Sequence, residues 1–219
     1  MSNETAKVKL IMDLRARGIR STSVLEAIET TPREKFVAEP FTDQAYADQS
    51  LPISCGQTIS QPYIVAYMTE QLNLNDRSLV LEVGTGSGYQ AAVLSKMCRR
   101  VFTLERYRTL SMKARQLFEE LSLRNITTII GDGFKGWPQQ APFDHIIVTA
   151  SPRKVPTALV EQLAIGGIMI IPLNQGLSNQ ALFKVTKTET GFEQEKLIDV
   201  RFVPMLEGLA REKQNPTSG

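Results

Sequence analysis

Residues 79–88 read LVLEVGTGSG, an apolar run that breaks into three closely spaced glycines. The apolar residues Val80, Leu81 and Val83 predict a buried strand. Residues 89–97, YQAAVLSKM, predict a helix directly after the glycines. Glycine lets the backbone turn sharply because it has no Cβ to clash. A strand, a glycine turn and a helix start together form a place where a nucleotide-like ligand can approach bare backbone.

The spacing of these glycines differs from that of a dinucleotide-binding turn. Gly84, Gly86 and Gly88 follow the pattern G-x-G-x-G, whereas a dinucleotide fold uses G-x-G-x-x-G. The acidic Glu82 lies just before the turn, where it discourages a phosphate and favours a cationic group. An ordinary tight turn between strand and helix stays open as the alternative.

Composition and charge limit the classes of function. The chain has 219 residues, with 42% hydrophobic and 22% charged residues and a net charge of +2, which fits one α/β domain with an N-terminal extension. This charge does not indicate a nucleic-acid or membrane partner. We expect no membrane span and no signal peptide. Cys55 and Cys98 lack the spacing of metal ligands, so we expect a protein of the reducing cytoplasm. His145 is the single histidine, so we expect neither a metal site nor a nucleophile activated by histidine.

The first third of the chain predicts helices followed by a long irregular segment. Helical periodicity covers residues 7–17 and 23–30, a helix start with an early proline covers residues 31–37, and a further helix covers residues 62–72. Residues 39–61 are polar and rich in turn-forming residues. Irregular segments of this length are uncommon in compact domains unless they serve function.

From residue 78 onward, predicted strands and helices alternate. This alternation indicates a doubly wound, mostly parallel sheet that binds ligands at the carboxyl ends of its strands. The last two strands flank a turn-like stretch and predict an antiparallel hairpin at the sheet edge. The predicted strands are 79–83, 101–104, 127–130, 145–148, 167–171, 180–186 and 196–202, and the helices are 89–97, 107–121 and 155–163. We therefore divide the chain into an extension (1–77), a core (78–206) and a polar tail (207–219).

Acidic residues follow the second and third strands of this core. Glu105 lies about twenty residues beyond the glycine turn, where a carboxylate commonly accepts hydrogen bonds from the two ribose hydroxyls. Asp132 and Gly133 stand in the sequence GDGF after the third strand. There Asp132 can accept from an exocyclic amine while Gly133 permits close approach, and a simple turn is an equal alternative.

These features resemble the class I methyltransferases that use S-adenosylmethionine, a cofactor without a phosphate. Further motifs narrow the resemblance: TPREKFV at residues 31–37, QTISQP at 57–62, APFDHIIVTAS at 141–151 and VRFVP at 200–204. In this order they resemble the protein-L-isoaspartate (D-aspartate) O-methyltransferases, over residues 7–204. The glycine turn alone is generic to methyltransferases, whereas QTISQP together with PREKFV and RFVP is specific.

The resemblance implies a Rossmann-like seven-stranded sheet and a protein-repair reaction. In it, a methyl group passes from S-adenosylmethionine to the free carboxylate of L-isoaspartyl or D-aspartyl residues of damaged proteins, and repair proceeds through a succinimide. We expect isoaspartyl proteins and peptides as partners and a monomeric enzyme. The resemblance assigns catalysis to Ser60; cofactor binding to Thr58, Ile59, Glu82, Gly84, Thr85, Gly86, Ser87, Gly88, Glu105, Arg106, Asp132 and Gly133; and substrate binding to Gln57, Ser60, Ser151, Val203 and Pro204.

Two features depart from the family pattern. Cys55 precedes the QTISQP motif, and Ser151 stands where alanine is common, which leaves the specificity of that pocket wall open.

A nicotinamide-dependent oxidoreductase is disfavoured by the glycine spacing. A methyltransferase for nucleic acid or a small molecule is the main alternative. DNA amino-methylating enzymes carry an acid or amide followed by two prolines after the fourth strand, whereas this chain reads VTASPRK. A non-catalytic cofactor-binding module predicts a damaged T-I-S motif, which is intact here.

Overall fold

A seven-stranded sheet forms the centre of the computed structural model, which describes residues 3–176 and 179–212. Within these ranges, no helix is both long and apolar enough to cross a bilayer. The α-helices are α1 (Asn3–Ala16), α2 (Thr22–Thr30), α3 (Pro62–Leu72), α4 (Tyr89–Ser95), α5 (Arg108–Glu120) and α6 (Thr157–Gln162), and the strands are β1 (Leu51–Pro52), β2 (Thr58–Ile59), β3 (Leu79–Val83), β4 (Arg100–Glu105), β5 (Ile126–Ile130), β6 (Phe143–Val148), β7 (Leu163–Asn174), β8 (Gln180–Lys187) and β9 (Phe192–Val200).

The strand order of the sheet is β5-β4-β3-β6-β7-β8-β9. The strands from β5 to β7 pair in parallel, and β8 and β9 are antiparallel to their neighbours. This confirms the predicted mostly parallel, doubly wound sheet with an antiparallel edge hairpin. The chain runs outward from β3 through β4 and β5, then returns to β6 on the other side of β3. Such a switch point opens a crevice at the carboxyl ends of the strands.

The N-terminal helices pack on one face of the sheet and share its core. Leu14 of α1, Ile28 of α2 and Leu72 of α3 are buried in the same apolar cluster as Val80 of β3 and Ile147 of β6. Burial of such side chains is the main favourable term in folding. The helical extension is therefore held firmly against the strands that carry the crevice.

A second apolar cluster covers the opposite face. It contains Leu81 of β3, Phe102 of β4 and Ile146 of β6, together with Leu159 of α6. Neighbouring residues of β3 thus serve opposite faces, as the alternation of side chains along a strand requires.

Among the strands, β7 and β9 depart most from their predicted bounds. Strand β9 begins at Phe192 instead of residue 196, because residues 192–196 are exposed on an edge strand and carry no apolar alternation. Strand β7 begins at Leu163, directly after α6, and its pairing with β6 shifts register between Phe143 and His145. An irregularity of this kind hides the strand start from a pattern-based prediction.

The polar segment 39–61 and the tail both contain ordered structure. The segment holds 3₁₀ turns at Glu39–Gln44 and Ser54–Gly56 and the short antiparallel pair β1–β2. In the tail, the Ala210 N–H donates to the Arg106 carbonyl at 3.1 Å. The division at residues 77 and 206 stays a prediction, and residues 213–219 lie outside the described part of the chain.

Candidate active site

A cavity of about 940 Å³ opens at the carboxyl ends of β3, β4 and β6. It lies at the switch point of the sheet, where doubly wound folds bind their ligands. Most of its lining comes from residues 56–61, 83–87, 104–107, 149–150 and 198–206. The cavity therefore brings the glycine turn, the T-I-S motif and the RFVP motif to one place.

Most predicted site residues line this cavity, and four do not. The lining residues are Gln57, Thr58, Ile59, Ser60, Gly84, Thr85, Gly86, Ser87, Glu105, Arg106, Gly133, Val203 and Pro204. Glu82, Gly88, Asp132 and Ser151 lie outside the lining. Gly88 approaches Phe118 of α5, where a Cβ would come within 2.8 Å of the ring.

The glycine turn is held in place from the neighbouring strand. Thr149, which follows β6, donates from Oγ1 to the Gly84 carbonyl at 2.7 Å. Gly84 has φ +101° and no space for a Cβ, which would collide with that hydroxyl. Only glycine meets both conditions at this position. The turn thereby exposes its backbone to the cavity.

Glu105 joins β4 to the glycine turn. Its carboxylate accepts hydrogen bonds from the Gly86 N–H at 2.9 Å and the Tyr107 N–H at 3.0 Å. Burial raises the pKa of Glu105 above its ordinary value, and the backbone N–H groups of Tyr107, Gly86 and Arg106 oppose that rise. The two donors orient the carboxylate at the cavity wall, and its remaining lone pairs can accept from ligand hydroxyls.

Glu82 lies beneath the turn and is fully buried. Thr103 of β4 donates a short hydrogen bond to Glu82 Oε2, and the hydroxyls of Thr103 and Thr85 are 2.6 Å apart. Oε1 has no hydrogen-bond partner in the described part of the chain. Burial raises the pKa of Glu82 to about 8. Contact between this side chain and a cofactor stays a prediction, and the cavity wall above it is formed by Val83, Gly84 and Thr85.

Asp132 and Gly133 occupy different positions relative to the cavity. Asp132 accepts from the Phe134 N–H at 3.0 Å and caps a 3₁₀ turn, as the simple-turn alternative predicted. Gly133 lines the cavity. A Cβ there would come within 2.6 Å of Val83 Cγ1 and 2.9 Å of Met205 Cε. Glycine at this position therefore lets Val83 and Met205 pack close to the backbone, and all three residues line the cavity.

The T-I-S motif reaches the cavity through β2, and Ser60 follows that strand directly. The Ser60 carbonyl accepts from Arg33 Nη2 at 2.7 Å. The next helix, α3, begins at Pro62, whose fixed φ suits the first helical position. The backbone on both sides of Ser60 is thereby constrained.

Main-chain hydrogen bonds connect Ser151 to the RFVP motif. Its N–H donates to the Val203 carbonyl at 2.8 Å, and its carbonyl accepts from the Met205 N–H at 2.9 Å. Its side chain is buried and its hydroxyl has no partner within the described residues. The neighbouring Ala150 faces the cavity instead. A direct substrate contact by Ser151 stays a prediction.

Several lining residues were absent from the sequence prediction. They include Arg17, Tyr63, Tyr89 and Thr149. The Arg17 guanidinium lies over the Tyr63 ring, 3.6 Å from its centroid, and Tyr63 is the second residue of α3, close to the T-I-S motif. No local pattern identifies Arg17, which is remote in sequence. Tyr63 and Tyr89 could have been found from the sequence, because each lies next to a recognised motif.

Comparisons with known proteins identify the family to which this chain is similar. A family profile, protein-L-isoaspartate(D-aspartate) O-methyltransferase, matches residues 4–210. The chain is 57% identical, over 95% of each chain, to a protein-L-isoaspartate O-methyltransferase of Parvibaculum lavamentivorans. It is 53% identical to the protein of that name in Rhodospirillum centenum, over 97% of this chain and 96% of that one.

Solved structures show the same likeness. One protein-L-isoaspartate O-methyltransferase superposes with a TM-score of 0.85 at 30% identity, over 93% of this chain and 67% of that one. Another, from Plasmodium falciparum in complex with S-adenosyl-L-homocysteine, gives a TM-score of 0.78 at 28% identity, over 90% of this chain and 97% of that one.

Proposed function

This chain belongs to the protein-L-isoaspartate(D-aspartate) O-methyltransferase family, and we propose that Ser60 orients the acceptor carboxylate in its reaction. The enzyme transfers a methyl group from S-adenosylmethionine to the free carboxylate of an isoaspartyl or D-aspartyl residue. The observation that carries the proposal is that Ser60 and the glycine turn line the same cavity.

The residues present fit S-adenosylmethionine. Glu105 offers oriented carboxylate oxygens for ribose hydroxyls, and Gly133, Val83 and Met205 form a cavity wall against which an adenine ring can pack. When bound, the cofactor supplies a methyl group on a positively charged sulfur. We propose that it is held by Thr58, Ile59, Glu82, Gly84, Thr85, Gly86, Ser87, Gly88, Glu105, Arg106, Asp132 and Gly133, of which Glu82, Gly88 and Asp132 lie outside the cavity lining of this structure.

The acceptor needs no general base. A carboxylate has an ordinary pKa near 4 and is ionised at neutral pH. The protein's contribution is therefore to position the two reactants, which is worth up to about 7–11 kcal/mol in well-oriented systems. His145 is not required, and it lies within β6, away from the cavity lining.

Ser60 is suited to the positioning role. Its hydroxyl has one proton to donate, so it holds one carboxylate oxygen and leaves the other free to attack. Gln57, Val203 and Pro204 form the adjoining walls. With them, Ser60 excludes water from the reacting pair, and this exclusion strengthens the electrostatic interactions inside the cavity.

The polypeptide substrate enters beside the sheet edge in this proposal. Strand β9 is the outermost strand, and its end continues into the cavity-lining residues 198–206. Backbone groups along such an edge can pair with an extended peptide and give affinity with little side-chain preference. Gln57, Ser60, Ser151, Val203 and Pro204 are the proposed substrate contacts. The methyl ester then cyclises to a succinimide without help from the enzyme.

In this proposal residues 1–77 contribute Ser60 and the T-I-S motif, residues 78–206 contribute most cofactor contacts and the remaining substrate contacts, and residues 207–219 form a polar tail. We also propose that the enzyme acts as a monomer in the cytoplasm, without nucleic-acid or membrane partners. Cys55 and Cys98 are both free, as in a reducing compartment. A single chain supplies the site described here. Light scattering that gives the mass of one chain supports the monomer, and twice that mass contradicts it.

A transfer assay with matched peptides tests the acceptor assignment. The enzyme is incubated with methyl-labelled S-adenosylmethionine and a pair of peptides that differ only in an isoaspartyl or normal aspartyl linkage. We expect base-labile label on the isoaspartyl peptide alone. Equal labelling of both peptides, or label that survives base, contradicts the assignment.

A further inference from the structure

Arg33 is a fully buried charged residue that the mechanism above does not use. It opens the 3₁₀ turn Arg33–Phe36 and has no exposed surface. Its guanidinium forms no ion pair within the described residues. Instead it donates to two carbonyls, from Nε to Ala45 and from Nη2 to Ser60, both at 2.7 Å. Its third nitrogen, Nη1, is buried without a hydrogen-bond partner among the described residues. Burying a charge with an unsatisfied donor costs stability, so a functional reason for Arg33 is worth seeking.

One of these two carbonyls belongs to Ser60, the residue that orients the acceptor. Hydrogen bonds from a charged donor are about twice as strong as neutral ones. The planar guanidinium donates in two fixed directions and so ties the Ser60 backbone to the segment around Ala45. Because the bond is to the main chain, it leaves the Ser60 hydroxyl free for the substrate.

The guanidinium also contacts the donor side of the site. It lies over the ring of Tyr89, 4.6 Å from the ring centroid. Tyr89 is the first residue of α4, directly after the glycine turn, and it lines the cavity. The edge of Phe36 packs on the same ring, with centroids 5.5 Å apart. Arg33 therefore joins the acceptor serine to the helix that follows the cofactor turn.

We propose that Arg33 is a positioning residue for methyl transfer, which fixes the Ser60 backbone at a set distance from the cofactor turn. This inference rests on the proposed role of Ser60. Lysine does not replace arginine here, because an ammonium is a point charge that cannot serve both carbonyls in fixed directions while lying over the Tyr89 ring.

The test measures kcat, the KM for an isoaspartyl peptide and the Kd of S-adenosylhomocysteine in R33K. We expect kcat to fall roughly tenfold to a hundredfold, as for small misplacements of reacting groups. The Kd is expected to stay within about twofold of the wild-type value, because the cofactor contacts are unchanged. Tyr46→Phe is the matched control. It removes the short hydrogen bond from Tyr46 to Glu34 beside Arg33 and leaves the Ser60 contact intact.

A double-mutant cycle separates positioning from general structural support. S60A keeps the main-chain carbonyl and removes the hydroxyl. If Arg33 acts through Ser60, R33K lowers kcat far less in the S60A background than in the wild type. A full kcat in S60A alone contradicts the role of Ser60. A reduced kcat in S60A together with an additive R33K effect contradicts only the role of Arg33.

If R33K does not fold, Tyr89→Leu tests the positioning role of Arg33 instead. This change removes the ring that supports the guanidinium while both carbonyl acceptors remain. We expect Tyr89→Leu to lower kcat in the wild-type background and to lower it far less in the S60A background. A wild-type kcat in Tyr89→Leu, or an effect that adds fully to that of S60A, overturns the proposal.

Discussion

The hydroxyl of Ser60 is the smallest feature on which the proposed chemistry depends. We predict that S60A lowers kcat by roughly 10- to 150-fold, which corresponds to the loss of one hydrogen bond to a charged group, about 1.5–3 kcal/mol. The Kd of S-adenosylhomocysteine is expected to change little, because the donor contacts lie on the glycine turn and Glu105. Steady-state kinetics and calorimetry measure the two quantities.

Ser54→Ala is the matched control for S60A. Ser54 lies in the same polar segment, accepts from Lys113 Nζ at 2.9 Å and does not line the cavity. We expect its kcat to match that of the wild type. Equal losses in the two variants would mean that the segment, and not the Ser60 hydroxyl, controls turnover.

Glu82 gives a prediction about stability and pH. Burial raises the pKa of this carboxyl from 4.5 to about 8 in the folded protein. Below about pH 4.5 the carboxyl is neutral in both the folded and the unfolded chain, and the contribution of this group to the free energy of unfolding is at its highest. As pH rises towards 8 the unfolded chain loses the proton first, so the free energy of unfolding falls.

Glu82→Gln removes this titration. Relative to the variant, the wild type is expected to lose up to about 1.4 kcal/mol of unfolding free energy per pH unit between about pH 4.5 and 8. Urea unfolding of both proteins across this range measures the difference. A difference that does not vary with pH contradicts the buried, neutral carboxyl.

At the scale of elements, Gly133 shows how a loop after a strand shapes the wall of the cavity. We predict that Gly133→Ala weakens binding of S-adenosylhomocysteine, because the added methyl displaces Val83 and Met205, which both line the cavity. Calorimetry measures the Kd. Gly191→Ala, in the open turn between β8 and β9, is the control and is expected to bind normally. An unchanged Kd in Gly133→Ala would place the adenine elsewhere.

Sequence patterns predicted the elements that combine apolar periodicity with a clear stop signal. Strand β3 and helix α3 have the predicted bounds, because glycines end the first and Pro62 begins the second. Strand β9 was placed too late, since an exposed edge strand tolerates polar residues on both faces. Strand β7 was placed too short, since its first residues pair irregularly with β6.

At the scale of the whole molecule, the site forms where the helical extension meets the switch point of the sheet. The glycine turn, Glu105 and the T-I-S motif were predictable because each is a local pattern with a chemical reason. Arg33 was not assigned a role, because its partners at Ala45 and Ser60 are distant in sequence. The placement of Glu82 and Ser151 outside the cavity depends on which way each side chain faces, which a motif does not specify.

The most direct measurement is a crystal structure of the enzyme with S-adenosylhomocysteine and an isoaspartyl peptide. We predict Ser60 Oγ within about 2.7–2.8 Å of one oxygen of the isoaspartyl carboxylate, the usual distance for such a hydrogen bond. The other oxygen is expected to face the sulfur of the cofactor, whose ribose hydroxyls bind Glu105. A carboxylate held away from Ser60, or a cofactor bound away from the glycine turn, would contradict the account.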